Sequence, residues 1–206
     1  MDDRKLKYFD FTVNQKDPIW EVELPGGVES LQLAGDGLCV LGASDGRVFV
    51  VSQEKRALVA EAKVFGDAQP VTALAVSANA SGADGAESNW LVACGSPEAN
   101  QLRILSLDTA GNLQPVGERN MDAGAFSLAF GQGTSACMVF AGLGNSQVRA
   151  INAARIVGRE VAERAFGYGF DDMARLADLS ANLEGPNDAA EADADDDRDD
   201  RDDRDE

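Results

Sequence analysis

Hydrophobic and polar positions along this chain alternate as short strands. A six-residue pattern opens polar, runs through apolar residues and closes on a small polar residue. It occurs four times, at Lys5–Asp10, Arg47–Ser52, Gln101–Ser106 and Gln147–Asn152, and the closing residues are spaced by 42, 54 and 46. A second matched strand precedes the last three copies: Val28–Leu33, Val71–Val76 and Ala125–Phe130. Each has a small residue third, Leu fourth and an apolar residue sixth. Between the two lies an apolar run ending at glycine: Leu38–Gly42, Trp90–Gly95 and Cys137–Gly142. After every closing residue comes a strand that mixes apolar with charged positions: Ile19–Leu24, Leu58–Val64, Leu113–Arg119 and Ile156–Val161.

The unit is therefore an inner strand, two buried middle strands and a charged outer strand. Strands packed on both faces read as near-continuous apolar runs, and charge on an outermost strand discourages pairing with other chains. Glu21 and Glu23, Glu61 and Lys63, and Arg159 and Glu160 suit that outer place. Asp45-Gly46 falls between two strands where a tight hairpin needs positive φ. Ala78–Asn89 has no apolar periodicity and lengthens the second step as an inserted surface loop.

A unit of this length built from several strands resembles the blade of a β-propeller, of the WD-repeat or the related quinoprotein-like kind. The resemblance covers residues 4–165. It implies an all-β, propeller-like array of four-stranded antiparallel blades, forming a half-ring or small ring. Trp20 is similar to the tryptophan of quinoprotein-like blades, whereas the Gly-His and Trp-Asp dipeptides of a typical WD repeat are absent. The chain starts in the third strand of one blade and then supplies three more, about three and a half, against the 4–8 of closed rings. Completion by a second copy, completion by another protein, and a remnant of a longer gene are the three outcomes this leaves.

Residues 166–185 read as a short helix-containing segment. Asp171 or Asp172 is a candidate N-cap, Met173, Leu176 and Leu179 recur near helical spacing, and Gly185-Pro186 ends the pattern. That helix either folds back over the last blade or docks in a partner's groove, and Met173, Leu176 and Leu179 are the candidate docking residues. Residues 186–206 read as a disordered acidic tail.

Charge narrows the functional classes. The formal net charge is −18, of which residues 188–206 contribute −9 from 12 acids and three arginines. Binding a phosphate backbone needs a basic surface, so neither nucleic acid nor an anionic membrane is an expected partner. Lysine is scarce and the folded part is acidic too, which favours adaptation to high salt over a tail that engages a basic client. No stretch approaches a membrane span, and the first five residues lack the apolar core of a secretion signal. Three cysteines, an odd number, fit a reducing compartment. The chain is expected to be a single cytoplasmic domain with a tail.

Catalytic candidates fail on chemistry. With no histidine, neither a Ser-His-Asp nor a Cys-His arrangement can form within the chain. Asp171-Asp172 are neighbours that would point apart on a helix. The run Gly142-Leu-Gly-Asn-Ser lacks the ending and the helix of a phosphate loop and reads as a hairpin turn. Cys39, Cys94 and Cys137 occupy the second strand of successive blades, and core packing suits them better than a metal. Arg47, Arg103 and Arg149 read as strand-edge solvation. The expectation is a noncatalytic interaction scaffold or assembly subunit without cofactor or metal, whose partner is a protein or a second copy. A ligand-binding remnant of a quinoprotein-like enzyme and an acidic-tail chaperone of basic clients are the alternatives.

Overall fold

In the computed structural model each predicted strand but the last pairs with a sequence neighbour, as short links between alternating apolar runs require. The structure describes residues 4–10, 12, 16–35, 37–77, 89–132 and 136–166. A two-stranded ribbon is formed by β1 (Lys5–Tyr8) and β2 (Trp20–Glu23). Sheet 1 runs in chain order through β3 (Val28–Ala34), β4 (Leu38–Ala43), β5 (Arg47–Ser52) and β6 (Ala57–Lys63). Sheet 2 repeats that order with β7 (Ala73–Val76), β8 (Asn89–Ser96), β9 (Ala99–Asp108) and β10 (Leu113–Asn120). Sheet 3 has β11 (Ala125–Phe130), β12 (Met138–Leu143) and β13 (Val148–Asn152), followed by α1 (Ala153–Val157) and α2 (Arg159–Phe166). All strand pairs are antiparallel. The fold is mostly β, in four antiparallel sheets.

The fourth outer strand, expected at Ile156–Val161, is instead helical, so sheet 3 has three strands. Asn152 caps α1 by accepting a hydrogen bond from the Arg155 amide at 3.3 Å, which satisfies a donor that the first turn leaves open. Gly158, at φ +83°, separates the two helices. Ala162, Ala165 and Phe166 then share one buried stripe of α2 at i, i+3 and i+4 spacing. A short mixture of apolar and charged residues fits an edge strand and an amphipathic helix equally well, so local pattern did not separate them. The segment read as a docking helix, with Met173, Leu176 and Leu179, lies outside the described residues. So do the tail and nearly all of the Ala78–Asn89 insertion, except Asn89, which opens β8.

Three cores lie in series between the layers. Leu6, Trp20, Val22 and Leu24 of the ribbon segment pack on Cys39, Leu41, Phe49 and Val51 of sheet 1. The other face of sheet 1, with Val40, Val48 and Val50, packs on Val71, Leu74, Val92 and Cys94 of the sheet 2 segment. The far face of sheet 2, with Leu91, Ala93, Leu102 and Ile104, packs on Val139, Ala141 and Ile151 of sheet 3 and on the helices. The period-2 alternation of side chains makes this serial stacking possible, because each middle strand feeds two cores at once. The first strands of the three sheets are neighbours, β3 beside β7 and β7 beside β11. No helix among the described residues is long and apolar enough to cross a membrane.

Candidate functional site

Register turns the sequence repeat into equivalent places. Ser30 pairs with Gly42, Ala73 with Gly95 and Ser127 with Gly142. These glycines let the next sheet come close. A Cβ at Gly42 would collide with the Val71 carbonyl oxygen just ahead of β7, and one at Gly95 would lie 2.7 Å from Ala125 Cβ of β11. The Ser30 hydroxyl donates to the same Val71 carbonyl at 2.7 Å, tying sheet 1 to sheet 2. At Gly142 the added carbon would meet only Ser127 of its own sheet, with Oγ at 2.5 Å. Nothing described packs there from beyond sheet 3.

The same equivalence shows which apolar residues lack cover. On the side of each first strand facing the preceding layer stand Val28, Leu31 and Leu33 in β3. Their counterparts are Val71, Leu74 and Val76 around β7, and Ala125, Leu128 and Phe130 in β11. Val71 is 0% exposed, Leu74 5% and Ala125 1%, whereas Val28 is 41%, Leu31 46% and Leu33 57% exposed. Residue type hardly changes across the copies, so the difference is the missing neighbour. At the opposite end of the stack, Phe140 and Val148 on sheet 3 are 39% and 74% exposed. Their register equivalents Val40 and Val48 on sheet 1 are fully buried. The molecule thus presents two apolar end faces, and such surfaces mark interaction sites more often than scattered single residues do.

The residues singled out for chemistry fall elsewhere. Cys39, Cys94 and Cys137 are all buried and free, each in a different core. Cys137 immediately precedes β12. Burial raises each thiol above its ordinary pKa, with Gln53 Nε2, 3.6 Å from Cys39 Sγ, opposing the shift at that site. Among the described residues no group of three His, Cys, Asp or Glu gathers to hold a metal. Arg47 pairs with Asp45 at 2.5 Å, Arg103 with Glu118 at 3.1 Å and Arg149 with Asp122 at 2.6 Å. Arg47 opens β5 and Arg149 stands on the edge strand β13, whereas Arg103 is mid-strand in β9, between β10 and β8, and not at an edge. The Arg47 guanidinium also holds the Asp45 carboxyl below the usual range. Asp45-Gly46 forms the β4–β5 turn, with Gly46 at φ +77°. The glycine run after Gly142 is the β12–β13 turn, closed by the Ser146 amide donating to the Leu143 carbonyl at 3.1 Å. Asp171 and Asp172 lie outside the described residues.

The described residues line clefts on the surface, two of them notable. One of about 430 Å³ is lined by Gln69, Asn100, Gln101, Asn120, Ala99 and Met121. Its amides are partly committed to one another and to backbone: Gln101 Nε2 donates to Asn120 Oδ1 at 3.3 Å, and Gln69 Nε2 to the Glu98 carbonyl at 3.3 Å. The other, about 290 Å³, touches the ends of β3, β7 and β11 through Leu33, Val76 and Phe130, with Trp90 beside them. Open apolar blade faces are what a half-ring of about three and a half blades implies; the sequence did not say which residues lie on them, because Leu31 and Leu74 look alike there. No protein-family model and no curated protein matches this chain.

Proposed function

We propose that this chain is a noncatalytic, β-propeller-type interaction scaffold or assembly subunit, working in the cytoplasm, whose partner is a protein or a second copy. The observation that carries the reading is the pair of open end faces, where residue positions buried between sheets elsewhere in the stack meet solvent. The chain-order antiparallel sheets, their serial face-to-face packing and the adjacency of their first strands support a propeller-type arrangement. Loops and end faces can vary in such an array without disturbing the cores between sheets, which suits a binding module.

The molar mass of the full chain by light scattering, at low and at molar salt, tests this. A mass above the 21.7 kDa of one chain, falling to it when Phe140 and Val148 are both changed to Asp, is the expected result for self-association through sheet 3. A wild-type monomer moves the reading to a different protein as partner. A monomer that binds no hydrophobic dye at either end face refutes it.

A further inference from the structure

The apolar strip on β3 has a shape that defines its occupant. The ribbon lies over β4 and β5: its Leu6 and Val22 pack on Leu41, Phe49 and Val51. In the repeat, Leu6 and Tyr8 correspond to Val48 and Val50 of β5, the third strand of its sheet. The ribbon therefore holds the third and fourth places of a layer whose first and second places would lie over β3. In the two complete stacks of this molecule those places are filled by β3–β4 over Val71 and Leu74, and by β7–β8 over Ala125 and Leu128. Both are antiparallel hairpins.

A second copy does not fit this place. Its sheet 3 offers an open apolar face, yet that face is three strands wide, and its β13 would enter the space that β1 occupies. The outward side of the ribbon carries Lys5, Lys7, Glu21 and Glu23, with a Lys5–Glu21 ion pair at 2.6 Å. That side suits water better than an apolar sheet.

Resting on the interaction reading above, we propose that Val28, Leu31 and Leu33 seat a two-stranded apolar β-hairpin from another polypeptide chain. The internal stacks specify its chemistry. The strand over β3 carries a small residue where Ser30 and Ala73 stand: a Ser there would donate its hydroxyl to the Val28 carbonyl as Ser30 donates to that of Val71, and an Ala would only allow the close approach. The second strand carries a glycine opposite it, as at Gly42 and Gly95, so that the two backbones can approach. Its inward residues are Val- or Leu-sized. This is recognition by extended backbone and alternating side chains.

The probe is a backbone-cyclised peptide of residues 28–43 with Cys39→Ser, verified as a hairpin by NMR beforehand and labelled for fluorescence anisotropy. It is titrated with the full-length chain. Saturable binding that weakens at least tenfold in Leu31→Asp and Leu33→Asp, and persists in Phe140→Asp, is expected. These positions are exposed, so the variants keep the wild-type melting temperature. Absence of saturation overturns the proposal, as does equal binding by all the variants. If Phe140→Asp alone abolishes binding, the hairpin sits on sheet 3: this proposal falls and the interaction reading stands.

Discussion

Replacing the three equivalent glycines one at a time by alanine asks whether each sheet has a neighbour beyond it. At Gly42 the new methyl collides with the Val71 carbonyl oxygen and crowds Val71 Cβ at 2.9 Å. Backbone cannot rotate away as a side-chain tip can, so sheet 2 must shift relative to sheet 1. Overpacking of this kind costs about 1–3 kcal/mol. The Ser30–Val71 hydrogen bond at 2.7 Å is strained with it, worth about 1 kcal/mol, giving about 2–4 kcal/mol for Gly42→Ala. At Gly95 the clash is with Ala125 Cβ at 2.7 Å and no hydrogen bond is lost, so about 1–3 kcal/mol is expected. At Gly142 only Ser127 Oγ is close, and a serine hydroxyl can turn aside. Loss of glycine's unfolded-state freedom returns about 0.4–1 kcal/mol at each of the three sites. It offsets part of the cost at Gly42 and Gly95 and leaves Gly142→Ala neutral to about 1 kcal/mol more stable than wild type. Urea unfolding followed by circular dichroism measures all three, read as midpoint shifts at constant slope. Equal destabilisation at Gly42 and Gly142 would show that the outer side of sheet 3 is packed like the others, and the open-end reasoning would fail. A neutral Gly42→Ala would remove the stacking of sheets 1 and 2 as drawn.

Acid should expose the Asp45–Arg47 pair. Asp45 has a lowered pKa, chiefly through its hydrogen bond from Arg47, so its contribution is present above the unfolded carboxylate pKa of about 3.9 and is lost as pH falls through the lower folded value. Asp45→Asn should flatten the acid limb of a plot of urea midpoint against pH below about 4, and an unchanged limb would count against the pairing. All three thiols, buried and raised in pKa, should resist a maleimide or aromatic disulfide reagent until urea unfolds the chain. Rapid labelling of Cys94 in native buffer would contradict its complete burial. Asn152→Ala should cost about 0.5–2 kcal/mol through loss of the α1 cap, seen in the same urea assay. With a net charge of −18, the chain should gain stability from low to molar potassium chloride as self-repulsion is screened, and a falling midpoint would point away from salt adaptation.

The strand order was legible because alternation and turn chemistry are local. Apolar runs such as Leu38–Gly42 and Trp90–Gly95, and the Asp45-Gly46 turn, each carry their own signal, and the hairpins followed from short links. Failure began where a decision needed the neighbour. Residues 156–161 suited a charged edge strand until Asn152 capped a helix and Ala162, Ala165 and Phe166 found the core between sheets 2 and 3. The helices occupy the place of the fourth strand, and they bury their stripe without adding an edge.

The residues of the candidate site were illegible for a related reason, although the incomplete blade count already implied open faces. In a repeat array each unit carries both halves of an interface, because the same sequence must face a neighbour on either side. Val28, Leu31 and Leu33 are apolar for the reason that Val71 and Leu74 are, and nothing in the residues announces that the cover is absent. The blade count implies that some faces stay open, and the three-dimensional layers show which: a ribbon two strands wide before sheet 1, and nothing described beyond Phe140 and Val148. Function in such a molecule therefore belongs to position in the stack. Leu31→Asp should disturb partner binding and leave folding intact, whereas Leu74→Asp, at the equivalent place one sheet later, buries an unpaired charge and should unfold the protein. If the two substitutions were equally harmful to stability, β3 would already be covered, and the end face would be part of the core.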